Sequence, residues 1–156
     1  MATIVVDTQF GSLAVTDTGE APGEAIVRVT WDGAAEGEAG PLLREAAAQI
    51  AAYDAGRLTR FDLPLRVAGS AFQRAVCDAM LAIPFGETCT YGEIAQALAH
   101  PAQAVGRACG GNPIPVLIPC HRVMGAGGRL TGFSGKGGVE TKVALLRHEG
   151  AGGLLI

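Results

Sequence analysis

Short apolar runs alternate with turn-forming residues in the first third of the chain. The runs cover residues 4–6, 12–15 and 25–31, and clusters of glycine, aspartate and proline separate them. Runs of β-branched residues bounded by such clusters are typical of strands, and short connections favour antiparallel neighbours. The pattern therefore predicts a small antiparallel sheet within residues 4–67.

Helical periodicity replaces this alternation after residue 41. Residues 42–55 are rich in alanine, carry apolar side chains at roughly helical spacing, and are followed by Gly56. One helix that packs on the sheet would complete an α+β unit. We predict that residues 1–67 form this N-terminal domain.

The sequence changes character at Ser70, where a second, helical domain over residues 68–156 is predicted. Ser70 and Gln73 have the spacing of a capping box, in which the hydroxyl and the amide would each bind a free N–H group at a helix start. Residues 72, 76, 80 and 81 then lie largely on one helical face. The Ile-Pro-Phe-Gly segment at 83–86 ends that helix.

Two shorter helices are predicted next, and they suggest a helix-turn-helix arrangement. Thr90 can cap a helix over residues 91–99, and Pro101 can begin another that runs to Cys109. A pair of glycines at 110–111 ends the second helix. No internal repeat and no low-complexity linker interrupts the chain.

The net charge and its distribution along the chain bear on whether the protein binds nucleic acid. The 156 residues carry a formal charge of −3, which argues at first against nucleic acid, because phosphate contacts draw on lysine and arginine. The distribution weakens that objection: up to Arg60 there are nine acidic and four basic residues, and from Phe61 onward six and eight. The C-terminal part is the candidate DNA binder, although electrostatics alone would not hold DNA tightly.

Targeting and cofactor signals are weak. No run of about 18 apolar residues occurs, and the first residues lack a basic region followed by an apolar stretch. We expect a soluble, unexported protein that is cytoplasmic or nucleoid-associated, or nuclear in a eukaryote. The four cysteines are far apart and form no Cys-x-x-Cys pair, so we expect reduced thiols, no metal and no cofactor. Outside Cys120 they are predicted to be structural, with Cys109 the most accessible.

The segment around Cys120 carries the candidate chemistry. An apolar run at 116–118 leads to Pro119, which fixes the backbone just before the thiol. A sulfur nucleophile reacts as the thiolate, so an imidazole must take the proton, directly or through water, and a carboxylate should orient that imidazole. His121 and Glu149 can supply these groups. Taken singly, His121 is equally well a core histidine and Glu149 a surface charge.

Several linked motifs resemble the O6-alkylguanine-DNA alkyltransferase family, the methylated-DNA:protein-cysteine methyltransferases. They are Asn-Pro at 112–113, Pro-Cys-His-Arg-Val at 119–123, Gly-Phe-Ser at 132–134 and Leu-Leu-Arg-His-Glu-Gly at 145–150. Residues 72–76, 83–88 and 91–95 also resemble family segments, in family order. The resemblance extends from about residue 70 to residue 150, roughly half of the chain.

This resemblance implies an α+β fold with a small antiparallel sheet domain and a helical, winged-helix-like DNA-binding domain. Cys120 would attack the alkyl carbon in line, with guanine O6 leaving. His121 would deprotonate the thiol through a bound water, and Glu149 would hold His121 in the required tautomer. Since the thioether is stable, each molecule would perform a single transfer.

The resemblance also assigns residues to the flipped-out base, whose extrusion costs about a few kcal/mol. Tyr91 would donate a hydrogen bond to the guanine ring and help rotate its phosphate. Ser134 would place donors near O6, where negative charge develops. Carbonyls of Cys120 and Val123 would accept the guanine amino group, and Asn112 would be the hinge that ties the recognition helix to the cysteine loop.

Residues 102–109 would be that recognition helix, entering the minor groove of double-stranded DNA that contains O6-alkylguanine. We expect a monomer without membrane contact. Arg122 resembles a structural member of the motif more than a DNA contact. Which alkyl groups are accepted, whether O4-alkylthymine reacts and whether DNA binding is cooperative are left open by the sequence.

Two positions depart from the family pattern. Gln103 occupies the position where the family usually carries an intercalating arginine, so it could hydrogen-bond the orphaned cytosine but lacks the charge. Arg107, one helical turn later, is a candidate backbone contact or a solvated surface residue. Phe133 stands where a tyrosine is common, which removes a hydroxyl but keeps an aromatic wall.

Two other functions compete with alkyl transfer. Alkyltransferase-like proteins bind alkylated guanine without accepting the group, but they lack the acceptor cysteine that Cys120 supplies here. A thiol hydrolase could use Cys120 and His121. Against it, adjacent residues in a strand point to opposite faces, and no separate oxyanion loop is evident.

Overall fold

A computed structural model describes residues 1–19, 23–130 and 138–151. The chain divides into two compact units, Met1–Ala68 and Gly69–Ile156. Ser134 and Phe133 lie outside the described residues. Within the described parts of the chain, every helix is too short or too polar to cross a membrane.

The first unit contains the predicted antiparallel sheet. Its strands are β1 (Thr3–Thr8), β2 (Gly11–Asp17) and β3 (Ile26–Trp31), in the order β1-β2-β3. Gly11 opens β2 at a φ of +127°, a conformation that residues with a Cβ rarely adopt. The hairpin therefore depends on glycine at this position.

One helix, α1 (Pro41–Asp54), packs on β1 and β2. Proline in its first turn suits the helix start, because the missing N–H would have no partner there. Leu43, Ala46, Ile50 and Tyr53 are its buried residues, and they recur at helical spacing. Burial of this stripe against the sheet forms the core of the first unit, as the periodicity predicted.

The second unit is mainly helical. Its elements are α2 (Ala71–Leu81), β4 (Cys89–Thr90), α3 (Tyr91–Leu98), α4 (Ala102–Gly110), β5 (Val123–Met124) and α5 (Val139–His148). The short strands β4 and β5 pair in parallel, with Cys89 opposite Val123. This pairing places the start of α3 beside the segment that follows Cys120.

The caps of α2 and α3 differ from each other. At α2, Ser70 Oγ accepts from Gln73 N at 3.0 Å, but the Gln73 amide donates to the Ala108 carbonyl at 2.8 Å. The predicted capping box at Ser70 is therefore only half correct, because the amide ties α2 to α4 instead. At α3, Thr90 and Glu93 form both hydrogen bonds of the motif.

Helices α3 and α4 form the predicted helix-turn-helix. Helix α3 ends at Ala99, which adopts a left-handed conformation with a φ of 55°, and Pro101 caps the start of α4. Both helix starts fall where the sequence placed them, and the ends differ by one residue. The α+β fold class, with a small antiparallel sheet followed by a helical unit that contains a helix-turn-helix, is confirmed.

Candidate active site

The loop between α4 and Cys120 is folded around the side chain of Asn112. Asn112 Nδ2 donates to the Ile118 carbonyl at 2.9 Å, and Ile114 N donates to Asn112 Oδ1 at 2.9 Å. A backbone hydrogen bond from Ile118 N to the Ile114 carbonyl, at 2.8 Å, closes the same loop. One buried amide therefore links the end of α4 to the residue two positions before Cys120.

Val116, at the tip of this loop, has an unfavourable backbone conformation. Its φ is +71°, which is rare for a β-branched residue, and its side chain is buried. Such a conformation persists only where the surroundings impose it, and it is enriched at functional sites. The hydrogen bonds around Asn112 and the burial of Val116 supply that constraint.

Cys120, His121 and Arg122 form a single turn of 3₁₀ helix. Arg122 N donates to the Pro119 carbonyl at 3.0 Å, which closes the turn. The sequence-based interpretation of Cys120 and His121 as adjacent residues of a strand is therefore wrong. In a tight turn, neighbouring side chains are not forced onto opposite faces, so that particular argument against a thiol hydrolase does not hold.

The turn places His121 against Glu149, which follows the last residue of α5. His121 Nε2 and Glu149 Oε2 are 2.7 Å apart, and both side chains are fully buried. The other ring nitrogen, Nδ1, is buried and has no hydrogen-bond partner among the described residues. Because a carboxylate can only accept, Nε2 carries the hydrogen and Nδ1 is left as an acceptor.

Arg122 holds the same carboxylate from its other side. Its Nε donates to Glu149 Oε1 at 2.7 Å and its Nη2 to Glu149 Oε2 at 3.1 Å. The paired N–H···O bonds of a guanidinium and a carboxylate fix orientation as well as charge. Arg122 is 7% exposed, so it is a buried partner of Glu149, not a residue on a DNA-facing surface.

The turn after α2 covers this ion pair. Arg122 Nη1 donates to the Ile83 carbonyl at 2.6 Å, and the guanidinium lies 5.9 Å from the centre of the Phe85 ring. Gly86 has a φ of +85°, and a Cβ there would come within 3.3 Å of the Glu149 carbonyl oxygen. The Ile-Pro-Phe-Gly segment thus ends α2 and also contacts the Arg122 guanidinium and the backbone of Glu149.

Burial sets the protonation of His121 and Cys120. Burial lowers the pKa of His121; hydrogen bonding and charge from Glu149 oppose this, and the charges of Arg122 and Lys142 add to it. Burial also raises the pKa of the Cys120 thiol, against a hydrogen bond from Asn112 and the charge of Lys142. A neutral imidazole therefore lies beside a thiol that keeps its proton at rest, and the thiolate needs a base to form.

Lys142 is a member of the site that the sequence reasoning missed. The side chain is fully buried in α5; Nζ donates to the Val123 carbonyl at 2.5 Å and lies 5.9 Å from the centre of the Tyr91 ring. Burial lowers its pKa. Its position three and four residues before the buried Leu145 and Leu146 was the available signal, because a lysine on an apolar helical face is unusual.

The remaining candidates lie at the edge of this cluster or on the surface. Tyr91 begins α3 and is half-buried, and the Val123 carbonyl accepts from Lys142. Gln103 and Arg107 are exposed on α4. The structure therefore brings together Cys120, His121, Glu149, Asn112, Tyr91 and Val123, and leaves the two α4 residues facing solvent.

All four cysteines are free thiols. Cys109 is buried and burial raises its pKa to about 12, whereas Cys89 is half-buried. The expectation that Cys109 is the most accessible of the other three is wrong, because it lies on the inner face of α4. In the described ranges, no group of three or more histidine, cysteine or acidic side chains could hold a metal ion.

The fold and site define a helix-turn-helix domain with a buried cysteine beside a histidine–glutamate pair. A family model described as "6-O-methylguanine DNA methyltransferase, DNA binding domain" matches residues 71–151. The chain belongs to this family, and the resemblance drawn from its sequence is confirmed.

Relatives and solved structures agree with that assignment. The methylated-DNA–protein-cysteine methyltransferase of Mycolicibacterium paratuberculosis is 52% identical over 103 residues, which span 65% of this chain and 61% of the relative. The crystal structure of Mycobacterium tuberculosis O6-methylguanine methyltransferase has a TM-score of 0.82 at 38% identity, covering 96% of this chain and 93% of that chain. A Mycobacterium tuberculosis OGT structure in complex with DNA has a TM-score of 0.81 at 38% identity, covering 94% and 92%.

Proposed function

We propose that this chain repairs alkylated DNA by transferring the alkyl group from guanine O6 to Cys120. It would act as a single-turnover methylated-DNA:protein-cysteine S-methyltransferase. The observation that carries the proposal is the state of His121, whose imidazole is anchored to Glu149 through Nε2 and retains an unpartnered, buried Nδ1 one residue from the thiol. The names of the relatives support the same activity.

In the proposed reaction, the Cys120 sulfur attacks the alkyl carbon as the carbon–O6 bond breaks. The bonding electrons leave with the guanine oxygen, and the thiol proton passes to His121 Nδ1 through a water. Glu149 keeps Nε2 protonated and so keeps Nδ1 basic. Cys120 is buried, with 6% of the residue's surface exposed.

The other site residues are proposed to position the extruded guanine. Tyr91 would donate to the ring, and the Cys120 and Val123 carbonyls would accept from its amino group. A carbonyl oxygen has two lone pairs, so Val123 can accept from Lys142 and from the base together. Ser134 would stabilise the charge that develops on O6.

Double-stranded DNA containing O6-alkylguanine is the proposed partner, with α4 in the minor groove. Gln103 and Arg107 are exposed on that helix. Among the described residues, a Cβ built at Gly106 or Gly110 would meet no atom within 4 Å apart from the nearby backbone of α4 itself, so packing against those residues does not require glycine at either place. Glycine would instead allow close approach to the groove. We further propose a monomer that acts in the cytoplasm or on the nucleoid.

Intact-protein mass spectrometry tests the proposed transfer. After mixing with a duplex oligonucleotide that carries O6-methylguanine, the full chain is expected to gain the mass of one methylene, and peptide mapping is expected to place it on Cys120. The Cys120→Ser variant is the matched control and should gain nothing. An unchanged mass of the unaltered chain, or a gain on another cysteine, would contradict the proposal.

A lesion-binding protein that does not transfer the group is the second candidate. It is favoured by Gln103, which stands exposed on the first turn of α4 in place of a charged residue. The same mixture distinguishes the two functions. Retention of the methylated duplex on a gel, at unchanged protein mass, would favour lesion binding over transfer.

Gln103→Arg is expected to speed the repair of duplex substrate more than the reaction with free O6-benzylguanine. An arginine in the base stack would offset part of the cost of base extrusion, and about 1 kcal/mol corresponds to roughly fivefold in rate. The two second-order rate constants are measured in parallel. Gln96→Arg, an exposed change on α3 with the same gain of charge, is the control for general DNA attraction. Equal acceleration of both substrates would contradict the prediction.

A further inference from the structure

Glu149 is held more extensively by Arg122 than by His121. Two of the three hydrogen bonds that join these side chains come from Arg122, one to each carboxylate oxygen, and His121 shares only Oε2. All three groups are buried. The protonation of His121 therefore depends on both Glu149 and Arg122, and the histidine–glutamate pair is only part of a three-residue hydrogen-bond network.

A buried carboxylate alone would impair His121 as a base. Next to an uncompensated carboxylate, the imidazole gains a proton and Nδ1 then has no lone pair to receive another. Alternatively the carboxyl group takes the proton and no longer selects the tautomer. Arg122 prevents both outcomes, because its guanidinium stays charged and neutralises Glu149. Protonation of His121 would then leave an unbalanced positive charge in a buried place.

The charged groups around His121, apart from Glu149, also disfavour its protonation. Glu149 and Lys142 are associated with α5, and Arg122 and the Cys120 thiol belong to its own turn. From the turn after α2, Arg122 meets the Ile83 carbonyl and the Phe85 ring, which carry no net charge. Apart from Glu149, the charged groups of the described residues that act on His121 are two cations, Arg122 and Lys142.

We propose that Arg122 is a positioning residue that keeps His121 neutral: it neutralises Glu149, so that the carboxylate orients the imidazole without protonating it. The role of Arg122 in alkyl transfer to Cys120 rests on the proposed function. The proton occupancy of His121 can nevertheless be measured without any reaction. Arg122 thus acts through Glu149 and His121 and does not touch the alkyl group.

The first test is an NMR pH titration of the histidine side chains in the full, unaltered chain. There are only three, and His100→Gln and His148→Gln assign the other two signals by their loss. His121 is expected to stay neutral at pH 7, with its hydrogen on Nε2. In Arg122→Met its midpoint should rise by roughly one pH unit or more, the size typical of adding or removing a charge at hydrogen-bond distance. In Arg122→Lys the His121 midpoint should lie close to that of the unaltered chain, because the positive charge beside Glu149 is kept.

The second test is the rate of alkylation by free O6-benzylguanine from pH 5.5 to 9. The alkylation rate of Arg122→Met is expected to be about tenfold or more below the parent rate at pH 6 and to approach it at pH 9. The reason is that a raised His121 midpoint shifts the low-pH fall in rate to higher pH. Arg122→Lys should restore the acid limb even if its rate is lower throughout. A uniform loss at every pH would show a structural role only and would overturn the proposal.

Each outcome can be interpreted whether or not Arg122→Met folds. An imidazolium at position 121 of the unaltered chain at pH 7 would overturn the proposal without any variant. An unchanged His121 midpoint in a folded Arg122→Met chain would also overturn it. A chain that gains no mass from methylated duplex and ignores O6-benzylguanine would refute the proposed function, while the titration would still decide the role of Arg122.

Discussion

Replacing His121 with phenylalanine is expected to lower the rate of alkyl transfer to Cys120 by about 10²- to 10⁴-fold near neutral pH, the usual range for loss of a general base. Burial raises the pKa of the Cys120 thiol, so without His121 only a small fraction is thiolate. Phenylalanine fills the fully buried space that the imidazole occupies. The rate is measured with excess O6-benzylguanine by following the mass of the protein.

The pH dependence of this variant separates loss of a base from loss of packing. The residual rate of His121→Phe should climb with pH as hydroxide ionises the thiol, and the parent rate should change less over the same range. His100→Phe serves as the control, since His100 is an exposed histidine that stacks on Phe72, outside the active-site cluster. A His121→Phe rate within tenfold of the parent at pH 7 would rule out His121 as the base.

Local signals were sufficient to predict most of the fold. Short apolar runs between turn-forming clusters located the three strands of the sheet, and helical spacing with Gly56 located α1. Thr90 and Pro101 located the starts of α3 and α4, because caps are properties of a few consecutive residues. The interpretation of Cys120 and His121 as strand residues was wrong, since a short buried segment has no periodicity that distinguishes a strand from a tight turn.

The site was less accessible from the sequence because its hydrogen bonds join distant parts of the chain. The family motif supplied Cys120, His121 and Glu149, but nothing local indicated that Arg122 holds a carboxylate 27 positions away. Lys142 was missed because a lysine is by default an exposed residue. Whether such a side chain faces the core depends on how α5 packs, and that follows from the whole fold.

Asn112→Ala is expected to reduce the free energy of unfolding of the second unit by about 2–4 kcal/mol. The substitution leaves Ile114 N and the Ile118 carbonyl without the bonds that the buried amide makes, and each unsatisfied buried group costs about 1–3 kcal/mol. Urea unfolding should be followed by the helical circular dichroism signal. The only tryptophan, Trp31, lies in the first unit, so its fluorescence reports on the wrong part of the chain.

Two comparisons make the Asn112 prediction specific. Gln96→Ala, an exposed change on α3, should alter the free energy of unfolding by less than about 0.5 kcal/mol. Asn112→Asp keeps an acceptor for Ile114 N but turns a second acceptor toward the Ile118 carbonyl, so it should recover at most part of the loss. Because the Asn112 hydrogen bond also lowers the pKa of Cys120, Asn112→Ala should slow alkylation by free O6-benzylguanine even where the chain is fully folded. A variant that is destabilised but reacts at the parent rate would limit Asn112 to holding the loop.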